Sequence, residues 1–317
     1  MTAAPPPGAT TRAERAAMTR TPADQREHER AQVAAHYQND PDIFRVVLGR
    51  QLAYSVGLFA SPHDDLEAAQ DRKLAYVRRQ LDLRPGERVL DVGCGWGSVL
   101  CELASATEAT VHGLTLSSRQ RDRALERAHA LGAGDRVRID VAHVEELDLP
   151  GESVDAIVFS GSIVHMHARE AVHALVARAL KPGGRVLISD CYFPRQVRGD
   201  RDSRATAHIF ETALGYCRLV PLAEELGWMD AVGLDVRRVE DVTEHYVRTV
   251  DCWVDNIRRH RAFIEARAPG FARLLQTYMM VGRMSFARRT ALEYMITAVK
   301  GRPREATAGW PVPGVAP

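Results

Sequence analysis

The sequence predicts an α/β fold, a doubly wound and mostly parallel seven-stranded sheet with helices on both faces, and three observations predict it. Strand-like and helix-like stretches alternate: "ERVLDVG", "SVLCELASA", "ATVHGLTL", "SSRQRDRALERAHALG", "DRVRIDVA", "SVDAIVFS", "AREAVHALVARAL" and "GGRVLISDCY". Such alternation builds crossover units and hence parallel strands. The first strand enters its helix through glycines at alternate positions, "VLDVGCGWGS" at residues 89–98, a turn that lets a ligand approach the backbone. "ALKPGG" ends a helix with a proline and two glycines and predicts a clean stop before the fifth strand.

Taken in order, residues 1–22 are rich in Ala, Pro, Thr and Arg, lack the apolar run of a signal peptide, and predict a disordered arm. Residues 23–82 carry helical patterning in "QREHERAQVAAHY", "DIFRVVLGRQL" and "DLEAAQDRKLAYVRRQLDL", separated by turn-like "QNDP" and "FASPHDD". They predict a helical lid ahead of a ligand-binding core at 83–192. Residues 193–292 predict a substrate-binding insert: irregular to 230, then a strand near "DVRRVEDV" and two helices within 244–289. Residues 293–302, the bulk of "ALEYMITAVK", predict the last strand, and 303–317 a flexible tail.

Composition narrows the function. A chain of 317 residues, 45% hydrophobic and 26% charged, suits one extended α/β enzyme domain. A formal net charge of +1 provides no global field for nucleic acid or an anionic membrane. The five cysteines are scattered, form no CxxC pair and share no metal-ligand spacing with histidines, which predicts reduced thiols, a cytoplasmic location and no metal. No run of eighteen apolar residues exists, so no transmembrane helix is expected.

In an open α/β sheet the ligand lies beyond the carboxyl ends of the strands, where the glycine loop sits. A dinucleotide site wants GxGxxG and an acid ending the second strand; this loop reads GxGxG, and the second strand ends "VHGLTLSSRQ" without an acid. Both departures argue against NAD.

The pair "GCGWG" and "GLTLSSRQ", with "ALKPGGRVLI", resembles the class I S-adenosylmethionine-dependent methyltransferases. More narrowly it resembles the cyclopropane fatty acid and mycolic acid synthase branch and related small-molecule methyltransferases of natural-product biosynthesis. The resemblance implies a Rossmann-like core under a helical lid, with an α-helical insert over the active site, and S-adenosyl-L-methionine as cofactor, leaving as S-adenosyl-L-homocysteine. It implies that Asp91, Gly93 and Gly95 shape the methionine pocket, with Trp96 near the adenosyl group. Thr115 and Gln120 match positions that meet ribose and adenine. Tyr54 and Ser55, in "LAYSVGLF", match the stretch that closes the lid, and Ser160 ends the fourth strand beside the cofactor. His143 stands where an adenine-binding Asp is expected, leaving backbone groups of Val144 and the Glu145 side chain to meet the adenine.

For chemistry, "VFSGSIVHMHARE" and "LISDCYFP" place His165 and Asp190 at neighbouring strand ends. A histidine beside a carboxylate is a general base suited to neutral pH, able to take a proton from a hydroxyl or amine acceptor; the alternative is a cap and a loop buttress. The branch carries Cys and Glu, which hold a bicarbonate ion, where this chain has Val56 and Val164. Valine holds no anion, which argues against cyclopropanation. O-methylation of a small specialised metabolite is therefore the first expectation. C-methylation of an acyl chain or isoprenoid, with Tyr278 near the carbocation, and a non-catalytic cofactor-binding protein stay open beside it. In "PRQVRGDRDSR", Arg195, Arg198, Arg201 and Arg204 fit an anionic acceptor or a carrier-protein phosphopantetheine. They fit equally a solvated loop paired with Asp200 and Asp202.

Overall fold

Strands whose residues are apolar on both faces must be covered on both faces, and the chain meets that demand with one seven-stranded sheet in the order β3-β2-β1-β4-β5-β7-β6. The strands are β1 (Arg88–Val92), β2 (Thr110–Thr115), β3 (Val137–Val141), β4 (Val154–Ser160), β5 (Leu180–Tyr192), β6 (Leu234–Asp241) and β7 (Leu292–Lys300). The first five are parallel, and β7 runs antiparallel to both β5 and β6. The computed structural model describes residues 40–194 and 217–301, with Thr21, Asp24 and Ala31. The expected arm and tail and the arginines at 195, 198, 201 and 204 lie outside the described residues.

The helices are α1 (Pro41–Leu48), α2 (Leu66–Leu81), α3 (Ser98–Thr107), α4 (Ser118–Ala130), α5 (Arg169–Ala179), α6 (Leu222–Ala231), α7 (Thr243–Arg259), α8 (Arg261–Arg267) and α9 (Phe271–Ala287). Asp65 and Ser117 cap α2 and α4 through their side chains, satisfying amides that a helix start leaves open. On one face of the sheet Leu74, Val77 and Leu81 of α2 pack with Leu100 of α3, Ala124 of α4, and Val89 and Val111 of the strands. On the other, Val172 and Val176 of α5 and Met229 of α6 cover Leu90, Ile157 and Phe159. A third cluster joins Phe44 and Val47 of α1 to Trp253 of α7, Met279 of α9 and Trp96 of the glycine loop. It roofs the carboxyl end of the sheet.

Three elements depart from the sequence reading. "ALKPGG" does not halt the chain: α5 ends at Ala179 and β5 starts at Leu180. The glycines instead make a bulge, with Gly183 at φ +77° and the β4–β5 register jumping from Val154↔Leu180 to Ala156↔Arg185. The stretch expected to be irregular contains α6, whose "LAEELGWMDA" carries a mid-helix glycine and a blurred apolar stripe. Two expected helices are three, because Ala268 leaves helical geometry and Gly270, at φ +81°, starts α9 afresh.

The link from β4 to α6 is held by a buried triad. Arg169 Nη1 donates to Glu225 Oε2 at 2.7 Å, His173 Nε2 lies 2.7 Å from Glu225 Oε1, and all three side chains are sealed from solvent. Arg169 Nη2 also donates to the Arg218 carbonyl at 2.6 Å, and the Arg218 guanidinium donates to the His167 carbonyl. The triad fixes the segment after His165 from below. Glu225→Ala strands a buried guanidinium without its counter-charge, so urea unfolding should show a loss of about 3–5 kcal/mol. A loss below about 1 kcal/mol would mean that the triad is solvated and does not hold α5 to α6.

Candidate active site

The strand order reverses between β1 and β4, and a crevice opens where the loops after those strands part. At the end of β1 the chain must turn within the width of its neighbour. Gly93 has φ +75°, and a Cβ there would sit 2.4 Å from the Ser162 Cβ, so the loop closes against the end of β4 only with glycine at this position. Ser162 Oγ donates to the Val92 carbonyl at 2.5 Å, and the Cys94 amide donates to the Leu114 carbonyl at 2.8 Å. Gly95, at φ +53°, has only the Gln120 amide nitrogen near its missing Cβ, 3.9 Å away. The loop is thus pinned on one side and open on the other.

The open side is a narrow cleft. Tyr54 and Ser55 line it from the loop between α1 and α2, Asp91, Gly93, Gly95 and Trp96 from the glycine loop, Gln120 from α4 and Ser160 from β4. Trp96 is buried against Phe44 with ring centroids 5.3 Å apart, which joins the glycine loop to α1. Tyr54 meets Trp253 edge-on at 5.4 Å, which joins the same cleft to α7.

Asp91 dominates the electrostatics of the cleft. Its side chain is buried, and neither carboxylate oxygen is held by a well-formed hydrogen bond. Burial pushes the carboxyl up to about 7, against the pull of the Lys73 ammonium and the Leu100 amide. An acid with both acceptors unused, beside a glycine that leaves room, fits a ligand rich in hydrogen-bond donors, as the methionine end of S-adenosylmethionine is.

Three residues expected at the cofactor stand back from the cleft. Thr115 is buried and donates its hydroxyl to Gln120 Oε1 at 2.7 Å, so it orients Gln120 and does not line the cleft itself. Val144 is packed in the core among Leu90 and Leu114, and Glu145 does not line the cleft. His143, at the position of the expected Asp, caps the turn Val144–Glu146: its Nδ1 accepts from the Glu145 amide at 3.3 Å. A ring used as a backbone cap replaces the carboxylate there.

The expected base lies on the turn Ile163–His165 that follows β4. His165 is half-buried, with Nδ1 3.5 Å from the Cys217 thiol. Asp190 does not hydrogen-bond to it, contrary to the sequence reading. Both of its oxygens serve the backbone: Oδ2 accepts from the Val164 amide at 3.2 Å and Oδ1 from the Cys191 amide at 2.8 Å. Burial raises its carboxyl, while Arg169, those amides and His165 oppose the rise. Asp190 therefore fixes the turn that carries His165.

Tyr278 stands on α9, its phenol raised by burial and by the nearby Tyr54, Tyr246, Cys217 and Cys191. Tyr246 packs against Phe286 at 4.5 Å and Trp253 at 6.0 Å. Val56 and Val164 are buried and apolar. Tyr278 thus lies near Tyr54 and near Cys217, which in turn contacts His165. Sequence reasoning missed Cys217, Tyr246, Lys73 and Glu293; for Lys73 the signal was a charge on the apolar stripe of α2.

Comparison with known proteins gives the family and the fold. A family model described as mycolic acid cyclopropane synthetase matches residues 24–294. Methyltransferase GfsG of Streptomyces halstedii is 34% identical over 220 residues, 67% of this chain and 76% of that protein. The 27-O-demethylrifamycin SV methyltransferase of Amycolatopsis mediterranei (strain S699) is 28% identical over 273 residues, 85% of this chain and 96% of that one. The solved structure of mycolic acid cyclopropane synthase CmaA1, complexed with SAH and CTAB, matches with a TM-score of 0.79 at 26% identity. It covers 86% of this chain and 98% of CmaA1. No helix among the described residues is long and apolar enough to cross a membrane.

Two outcomes test the cleft. Gly93→Ala, with its Cβ forced onto Ser162, should weaken S-adenosylhomocysteine binding by at least roughly tenfold in titration calorimetry. Donors from a ligand favour ionised Asp91, whose carboxyl sits at about 7 in the free protein, so cofactor affinity should fall as pH drops from 8 to 6. Asp91→Asn should flatten that part of the dependence.

Proposed function

Because this chain belongs to the mycolic acid cyclopropane synthetase family and is an S-adenosylmethionine-dependent methyltransferase, we propose that it methylates an oxygen of a small specialised metabolite, with His165 as the base. The observation that carries this reading is the pairing of a half-buried histidine with two valines. Val56 and Val164 leave no polar pair to hold an anionic base, so proton removal falls to a side chain, and His165 is the titratable ring at the end of β4. The Amycolatopsis relative, named for a 27-O-demethyl substrate, supports the choice of oxygen.

When bound, the cofactor supplies a methyl group on a sulfonium, activated for in-line transfer. Asp91 receives hydrogen-bond donors at the methionine end, and Gln120, oriented by Thr115, meets the cofactor farther along the cleft. Tyr54 lines the cleft and packs edge-on against Trp253, itself edge-on to Tyr246, a stack that would keep water from the transferring methyl group. His165, whose Nδ1 lies 3.5 Å from the Cys217 thiol, takes the acceptor proton. Asp190 holds the Val164 amide and with it the turn that carries the ring.

A second reading, C-methylation of an acyl chain or isoprenoid, would have Tyr54 of the cleft, with Tyr278 near it, meet the carbocation through a ring face. Methyl-labelled cofactor and a panel of hydroxylated and of unsaturated apolar acceptors separate the two by product analysis. On the O-methylation reading, His165→Ala lowers turnover by about 10²–10⁴ while S-adenosylhomocysteine affinity stays within about twofold. Unchanged turnover would remove His165 as the base.

A further inference from the structure

Behind the cofactor cleft lies a buried cation with no part in the mechanism so far. Lys73 of α2 is sealed from solvent, an expensive place for an ammonium. Its Nζ donates to Ser160 Oγ at 2.7 Å and to Ser55 Oγ at 3.2 Å, and the two hydroxyls lie 3.4 Å apart. Ser55 belongs to the loop between α1 and α2, Ser160 to the end of β4, and both line the cleft. Two walls that are remote in sequence are thus joined through a third element beneath them.

The rest of the loop is hung in the same way. One turn before Lys73, Gln70 donates its amide to the carbonyls of Leu48 at 2.8 Å and Ala53 at 3.3 Å. The Gly57 amide donates to Thr249 Oγ1 of α7 at 3.0 Å, and the Leu58 amide to the Ala69 carbonyl at 2.9 Å. Of these ties, the Lys73 tie alone ends on two cleft-lining side chains. The carboxyls of Asp91 of β1 and Glu293 of β7 favour its charged form against burial; Glu293 in turn accepts from Ser189 at 3.2 Å and Cys191 at 3.0 Å.

We propose that Lys73 is a positioning residue for the cofactor: its ammonium clamps Ser55 and Ser160 together and so sets the shape of the cleft before the cofactor enters. Pre-set walls lower the ordering cost of binding. A merely structural core lysine would affect folding and leave the cleft's affinity alone.

The test is a cycle of variants read by calorimetric titration with S-adenosylhomocysteine. Lys73→Met, which keeps the volume and removes the donors, should weaken binding by roughly tenfold or more. The pair Ser55→Ala with Ser160→Ala should weaken it to a similar degree, and the triple variant no further, because groups acting as one unit do not add. Affinity within about twofold of the parent in folded Lys73→Met, or losses that add in the triple variant, would overturn the proposal. A second readout needs neither cofactor nor the Lys73 variant. In cofactor-free Ser55→Ala, hydrogen exchange at the Gly57 amide should quicken by several-fold, since the loop loses its tie to Lys73. Exchange at the parental rate would equally overturn it.

Discussion

An ionisable acid buried at the carboxyl end of the central strand is the constraint around which this structure is arranged. Asp91 ends β1 in the middle of the sheet, where a carboxylate cannot stay charged without compensation. Compensation comes from Lys73, which α2 carries through the core to the same depth. Once a buried ammonium is present it too needs acceptors, and Ser55 and Ser160 supply them. The loop between α1 and α2 is thereby drawn over the cleft, bringing Tyr54 with it. One local electrostatic demand is thus met by residues from four parts of the chain.

The same strand ends divide the labour of the site. The loop after β1 binds, the turn after β4 carries the histidine, and β5 supplies the acid that holds this turn in place. The buried triad of Arg169, His173 and Glu225 secures the base of the segment, and its guanidinium also faces Asp190 electrostatically. Function is placed on strand ends because those are the rigid points of the sheet.

Local patterns were legible in the sequence, and partnerships were not. "VLDVGCGWGS" gave away the turn and the direction of the sheet, because glycine spacing records backbone geometry directly. The five parallel strands and most helices followed from periodicity. "ALKPGG" misled because a positive-φ glycine suits a bulge as well as a stop, and only the β4–β5 register distinguishes them. Thr115 was assigned to the ligand since its motif neighbours a ligand; its hydroxyl is spent on Gln120. Asp190 was read as the partner of His165 from adjacency of strand ends, yet the backbone amides of Val164 and Cys191 lie nearer. Lys73 was overlooked for a different reason: its place on the apolar stripe of α2 was a signal, but a lysine in a charged helix reads as solvated until the opposite carboxylate is known.

The central claim is that the cleft binds S-adenosylmethionine through a buried acid poised near neutrality. Its most direct test is the number of protons released on binding S-adenosylhomocysteine at pH 7, obtained from calorimetric enthalpies in buffers of different ionisation enthalpy. A carboxyl at about 7 in the free protein, ionised in the complex, predicts release of a substantial fraction of one proton, absent in Asp91→Asn. Binding with no proton release, or release that survives in Asp91→Asn, would contradict the account.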